Sequence, residues 1–211
     1  MRPIRSLRAK VGLEEAVRIY APSGPRGLLS RLRQGPLLAV ADIYLPFRLY
    51  HVVVDDQEVS KTIWYAVDAL SGVLDLYEFT RDPAGTMVEL TIEPRNCPYS
   101  RISECETRQR AVDAVRRKIF STGFFRIRKP QIHAELLDSG LHVPYWVAFY
   151  GSKDCVRTAV LDAVRGRLEG GKARQVIEGW LRDPLTGVSD PGMQAQHEHA
   201  SVQENRQGCL E

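Results

Sequence analysis

No run of about eighteen apolar residues occurs in this 211-residue chain, so nothing in it reads as a membrane-spanning helix. The opening MRPIRSLRAK is basic but leads into no apolar core of the kind a secretory signal needs, and none is expected. Cysteine is scarce. The four residues Cys97, Cys105, Cys155 and Cys209 form no C-x-x-C pair and match no common zinc spacing. That excludes a zinc ribbon or a small disulfide scaffold and leads to an expectation of reduced thiols in a cytoplasmic protein. The formal net charge of +3 is too small to imply a nucleic-acid or membrane partner. No G-x-x-x-x-G-K-[ST] phosphate loop is present either: GRLEGGK (166–172) has the glycines and a lysine before a helix, without the spacing.

The charge that is present is segregated. Residues 1–35 hold eight Arg/Lys against two acids, 36–100 four against ten, 101–129 nine against three, and 183–211 one against five. Solvated helix faces beside acidic strand loops account for this pattern.

Periodicity predicts two short helices over 12–36, broken by Pro-Ser-Gly-Pro at 22–25, with Leu28, Leu29 and Leu32 as a one-sided stripe. Strands follow at 45–54, 62–67, 73–79 and 86–92, and both alternating sets of the first are apolar. A Pro-rich joint at 93–103 leads to a helix over 103–120, opened by the Ser103/Glu106 capping box. QIHAELL (131–137) and HVPYWVAFY (142–150) flank Asp-Ser-Gly and read as a hairpin. A strand at 155–163 and a helix at 171–181 complete the order, and 183–211 reads as a disordered tail.

Two stretches match. VDALSGVL (67–74) and LDAVRGRL (161–168) each follow a Pro-aromatic strand opening, Pro46-Phe47 and Pro144-Tyr145, and a return strand. An Asp at a strand end accepts amides of the following turn, and Gly supplies a positive φ, so Asp68, Gly72, Asp162 and Gly166 are read as structural turn residues. VDALSGVL resembles the signature of PepSY and PepSY-like domains over about 25 residues in each half. That resemblance implies small α+β units with a curved antiparallel sheet on a helix, in families that are usually exported and act as inhibitory or regulatory modules. It brings no catalytic residue. The expected fold is therefore α+β with two similar halves: 1–100 with a basic helical segment, 101–182, and the tail 183–211.

Candidate chemistry is thin. Asp68 and Asp162 would make a carboxylate dyad only if the halves met around a twofold axis, and turn capping accounts for both. His133 and His142 lack a third ligand, and His197 and His199 sit in the tail. Cys155 opens a strand and reads as inert, while GFFRIRK (123–129) mixes aromatics with cations in the manner of a single-strand nucleic-acid platform. The aromatics Trp64, Tyr65, Tyr145 and Trp146 alternate across two-faced strands and are the candidate partner-binding residues. The sequence thus predicts a non-enzymatic protein- or peptide-binding or regulatory module. It needs no cofactor and no metal, and its partner is another protein, a peptide or its own copy. The alternative is a small-ligand or nucleic-acid binder using the basic helix 103–120.

Overall fold

A computed structural model describes residues 1–55, 60–121, 131–152 and 155–182. The order is β1 (Arg2–Leu7), α1 (Leu13–Tyr20), α2 (Pro25–Gln34), β2 (Leu37–Asp55), β3 (Ser60–Asp68), β4 (Tyr77–Phe79) and β5 (Met87–Ile92). Then come α3 (Glu104–Ser121), β6 (Gln131–Ser152), β7 (Cys155–Asp162), β8 (Arg167–Leu168) and α4 (Gly171–Arg182).

All eight strands belong to one curled, mixed sheet in the order β4-β3-β2-β6-β1-β5, with β7 and β8 continuing from β6. This corrects the expected division into two similar halves, each an antiparallel sheet on its own helix. β2 and β6, from either side of the supposed joint, pair along nearly their whole lengths, from Leu37↔Tyr150 to Asp55↔Gln131. Apolar side chains on both faces of each strand make this the favourable arrangement, because a central strand must be covered twice.

The even-numbered face of β2 turns Tyr50, Val52 and Val54 towards Ala111 and Val115 of α3. At the other end of that face, α1 packs Ala16 and Tyr20 on Ala148, Tyr150 and Leu161. The odd-numbered face holds the largest core: Leu45 and Phe47 of β2, Val143, Tyr145 and Val147 of β6, and Ile177 and Trp180 of α4.

Two elements differ from the sequence expectation for physical reasons. Asp138-Ser139-Gly140 is not a hairpin turn. β6 runs through it, and the register slips between Phe47↔Leu141 and Leu49↔Asp138, so the extra residues form a bulge. The Asp138 carboxylate accepts the Gly140 amide at 2.8 Å, a bond that serves a bulge as well as a turn. Second, RPIRSL is a strand. It pairs antiparallel with β5 over six positions, Arg2↔Ile92 to Leu7↔Met87, and parallel with β6 at Arg5↔Leu141 and Ser6↔His142.

α3 keeps its N-terminal cap, with the Ser103 hydroxyl accepting the Glu106 amide at 3.2 Å. Among the described residues, no helix is long and apolar enough to cross a membrane. Cys97, buried, and Cys155, exposed, are free thiols.

Candidate functional site

The matched turns come first, because the sequence singled them out. Asp68 closes β3 opposite Phe47, and Asp162 closes β7 opposite Tyr145. The Asp68 Oδ1 accepts the amides of Leu70 at 2.8 Å and Ser71 at 3.2 Å. The Asp162 Oδ1 accepts those of Val164 at 2.9 Å and Arg165 at 2.8 Å. Ala69 donates to the Pro46 carbonyl at 3.0 Å, and Ala163 to that of Pro144 at 3.1 Å. Gly72 and Gly166 have φ of 67° and 70°, a region that disfavours any residue with a Cβ. Neither proline costs a ladder bond, since its ring nitrogen points to the same side as its carbonyl, where the strand pairing ends.

The two carboxylates nevertheless have separate surroundings. Asp68 takes the Ser71 hydroxyl as a further donor. Asp162 is fully buried and accepts from the Tyr77 hydroxyl, while Arg165 lies 3.6 Å away. The Arg165 guanidinium also stands 3.7 Å above the Tyr77 ring and donates to the Leu76 carbonyl at 2.5 Å. Burial, then the neighbouring Tyr145 and Asp162, raise the Tyr77 pKa far above the ordinary tyrosine range. A phenol held neutral in this way acts as a fixed donor. The arrangement ties β4 to the turn after β7 by setting a neutral phenol against a paired carboxylate.

The aromatic candidates are occupied internally. Tyr65 is buried under α3 with its hydroxyl donating to Glu78 at 3.3 Å. Tyr145 is buried in the main core. Trp146 donates to the Val11 carbonyl at 2.8 Å and packs beside α1. Trp64 is half-buried and lies 5.3 Å from the His51 ring. The alternation read from the sequence is present, and folding on both faces consumes it.

The basic helix has most of its cations paired. On α3, Arg108 faces Glu104 at 2.5 Å, Arg110 faces Glu106 at 3.1 Å and Arg116 faces Asp113 at 3.2 Å, while Lys118 meets Glu78. Beside this helix lies a cleft of about 490 Å³ whose lining mixes Asp75, Glu106 and Asp113 with Arg110 and Arg117. Such a balance favours no anionic ligand. A smaller cleft of about 300 Å³ lies between β1 and β6, lined by Arg2, Arg5, Glu89 and His142.

Among the described residues, no group of three His, Cys, Asp or Glu side chains is placed to hold a metal. His133 and His142 lie on the described part of β6, one exposed and one buried. GFFRIRK (123–129), His197 and His199 lie outside the described residues.

The feature that sequence reasoning underrated is α2. Leu28 and Leu32 are 64% and 77% exposed, and Arg31 and Arg33 beside them face no carboxylate among the described residues. The helix has no acidic residue, and Pro25 at its first turn and Gly35 at its end set its limits. Its C-terminal end is fixed to the sheet, because Arg157 of β7 donates to the Arg33 carbonyl at 2.6 Å. The Leu28/Leu29/Leu32 stripe was visible in the sequence, but not that the fold would leave Leu28 and Leu32 exposed.

No protein-family model matches the chain, and neither a curated protein nor a solved structure matches it.

Proposed function

We propose that this protein is a non-enzymatic binding module that engages an acidic protein surface through α2. The observation that carries the reading is the pair of exposed leucines, Leu28 and Leu32, on a helix whose only charges are arginines. Scattered exposed leucines are ordinary, but two at helical spacing make a stripe that burial would favour. The flanking Arg31 and Arg33 select the sign of what covers it. Regulatory binding is also the role that the PepSY-like turn motif implies. The alternative reading through helix 103–120 finds less support, since three of the four arginines of that helix, Arg108, Arg110 and Arg116, pair with its own carboxylates.

The test is a photo-reactive side chain at position 32, compared with one at Leu181, an exposed leucine on α4. The reading expects protein adducts specific to position 32 that Arg31→Glu with Arg33→Glu abolishes. Adducts equal at both positions, or indifferent to charge reversal, would contradict it.

A further inference from the structure

Strand register sets a row of side chains across the odd-numbered face of the sheet, at the end beyond the main core. Phe79 of β4 stands opposite Trp64 of β3, Trp64 opposite His51 of β2, and His51 opposite Glu135 of β6. Directly opposed residues share a face and strands lie about 4.8 Å apart, so the row is about 14 Å wide. A second row, Thr62, Val53 and His133, lies next to it, further from the core. α3 covers the other face of these strands.

Phe79 and Trp64 pack against the main core yet are only half-buried, as is His51, while Glu135, Thr62 and His133 are exposed. Packing thus consumes part of Trp64 and leaves the rest at the surface. The polar groups of both rows are unspent. Among the described residues, the Trp64 indole N–H, the Glu135 carboxylate, the His51 and His133 rings and the Thr62 hydroxyl make no hydrogen bond or ion pair.

The chemistry of the rows selects an occupant. Neither row holds a lysine or arginine, and Glu135 repels phosphate, which disfavours a nucleic acid. A cation binds best where aromatic rings enclose it, but Phe79 and Trp64 lie side by side and His51 stands between them and the carboxylate. An apolar partner would bury Glu135, His133 and Thr62 without partners. A hydroxyl, by contrast, donates to a carboxylate and accepts from an indole N–H.

We propose that these rows bind a neutral oligosaccharide. The apolar C–H faces of its sugar rings lie on Trp64 and Phe79, and its hydroxyls bond Glu135, the two imidazoles, Thr62 and the Trp64 indole. The inference is independent of the reading of α2.

The test is a titration of the full chain with cellohexaose, maltohexaose and chitohexaose, each to about 10 mM, well above a millimolar dissociation constant. Nuclear magnetic resonance follows the indole N–H signals of the three tryptophans, Trp64, Trp146 and Trp180. The expected result is that at least one saccharide moves the Trp64 signal and leaves the other two in place. Trp64→Ala should abolish that binding. His133→Ala with Glu135→Ala, both at exposed positions, should weaken it by about tenfold or more while the melting temperature stays put. A Trp64 signal that no saccharide moves would overturn the inference, even if octalysine or an octathymidylate moves it. So would saccharide binding that the double variant leaves unchanged. The titration uses the unmodified chain and the double variant alters only exposed side chains, so the inference stands or falls even where Trp64→Ala does not fold.

Discussion

Asp68 and Asp162 shape the same turn with different partners, and that difference predicts different tolerance to substitution. Asn at either position keeps an Oδ1 acceptor for the turn amides. At position 68 the other carboxylate oxygen accepts the Ser71 hydroxyl and, at 3.3 and 3.4 Å, the Ser71 and Leu74 amides. Asn keeps the hydroxyl, which can turn to accept, and loses two long bonds, so Asp68→Asn should cost about 1 kcal/mol, the scale of one net hydrogen bond. At position 162, which is as fully buried as position 68, the carboxylate also answers Arg165 and the Tyr77 hydroxyl. Removing one partner of such a pair leaves charge uncompensated, so Asp162→Asn should cost about 2–3 kcal/mol. Chemical denaturation of the two variants measures the gap, and equal losses would refute the distinction. Sequence reading located both aspartates and their glycines, because turn chemistry is local. It could not see Tyr77, 85 residues from Asp162 in the chain.

β1 shows what sequence lost at the scale of an element. With Arg2, Arg5, Arg8 and Lys10 the opening reads in sequence only as a basic stretch, yet its alternate residues Ile4 and Ser6 are buried, and its partner β5 lies some eighty to ninety residues away. Its seam with β6 holds His142. Burial lowers the pKa of this imidazole, Arg2 acts in the same direction, and the carbonyls of Gly140 and Arg5 with the Asp138 carboxylate oppose them. Arg5 is itself paired with Asp138 at 3.0 Å, and Glu89 faces the same cleft from β5. With the folded-state pKa below the unfolded one, the unfolded chain takes up the proton first as pH falls. Stability from this group is therefore complete above the ordinary histidine pKa of about 6.5 and is lost below it. Urea denaturation at about pH 7.5 and pH 5.5 should show a loss that His142→Gln reduces. An unchanged loss in the variant would place the acid sensitivity elsewhere. α3, by contrast, was legible almost to the residue, because its cap and its Val112, Val115 and Ile119 spacing are contained within one segment.

At the scale of the molecule, the sequence supplied the parts list and misjudged the assembly. Strands with two apolar faces were correctly read as covered twice, and Tyr145 and Trp146 do point to opposite sides. What local pattern could not show is that β2 and β6 cover each other's flanks by pairing, which merges the expected halves into one sheet. The Asp-Ser-Gly bulge misled for the same reason: only the partner strand reveals whether such residues turn the chain or bend it. The same assembly leaves Leu28 and Leu32 of α2 exposed, and this makes the helix the candidate surface. Both statements concern which parts open together and which stand alone, so native-state hydrogen exchange on dilute full-length protein tests them at once. The account predicts that the amides joining β2 to β6 between Leu45 and Val54 exchange last and with a common opening free energy, while α2 exchanges early and well ahead of α1. Separate opening of β2–β3 and β6–β7, or an α2 as protected as α1, would contradict it.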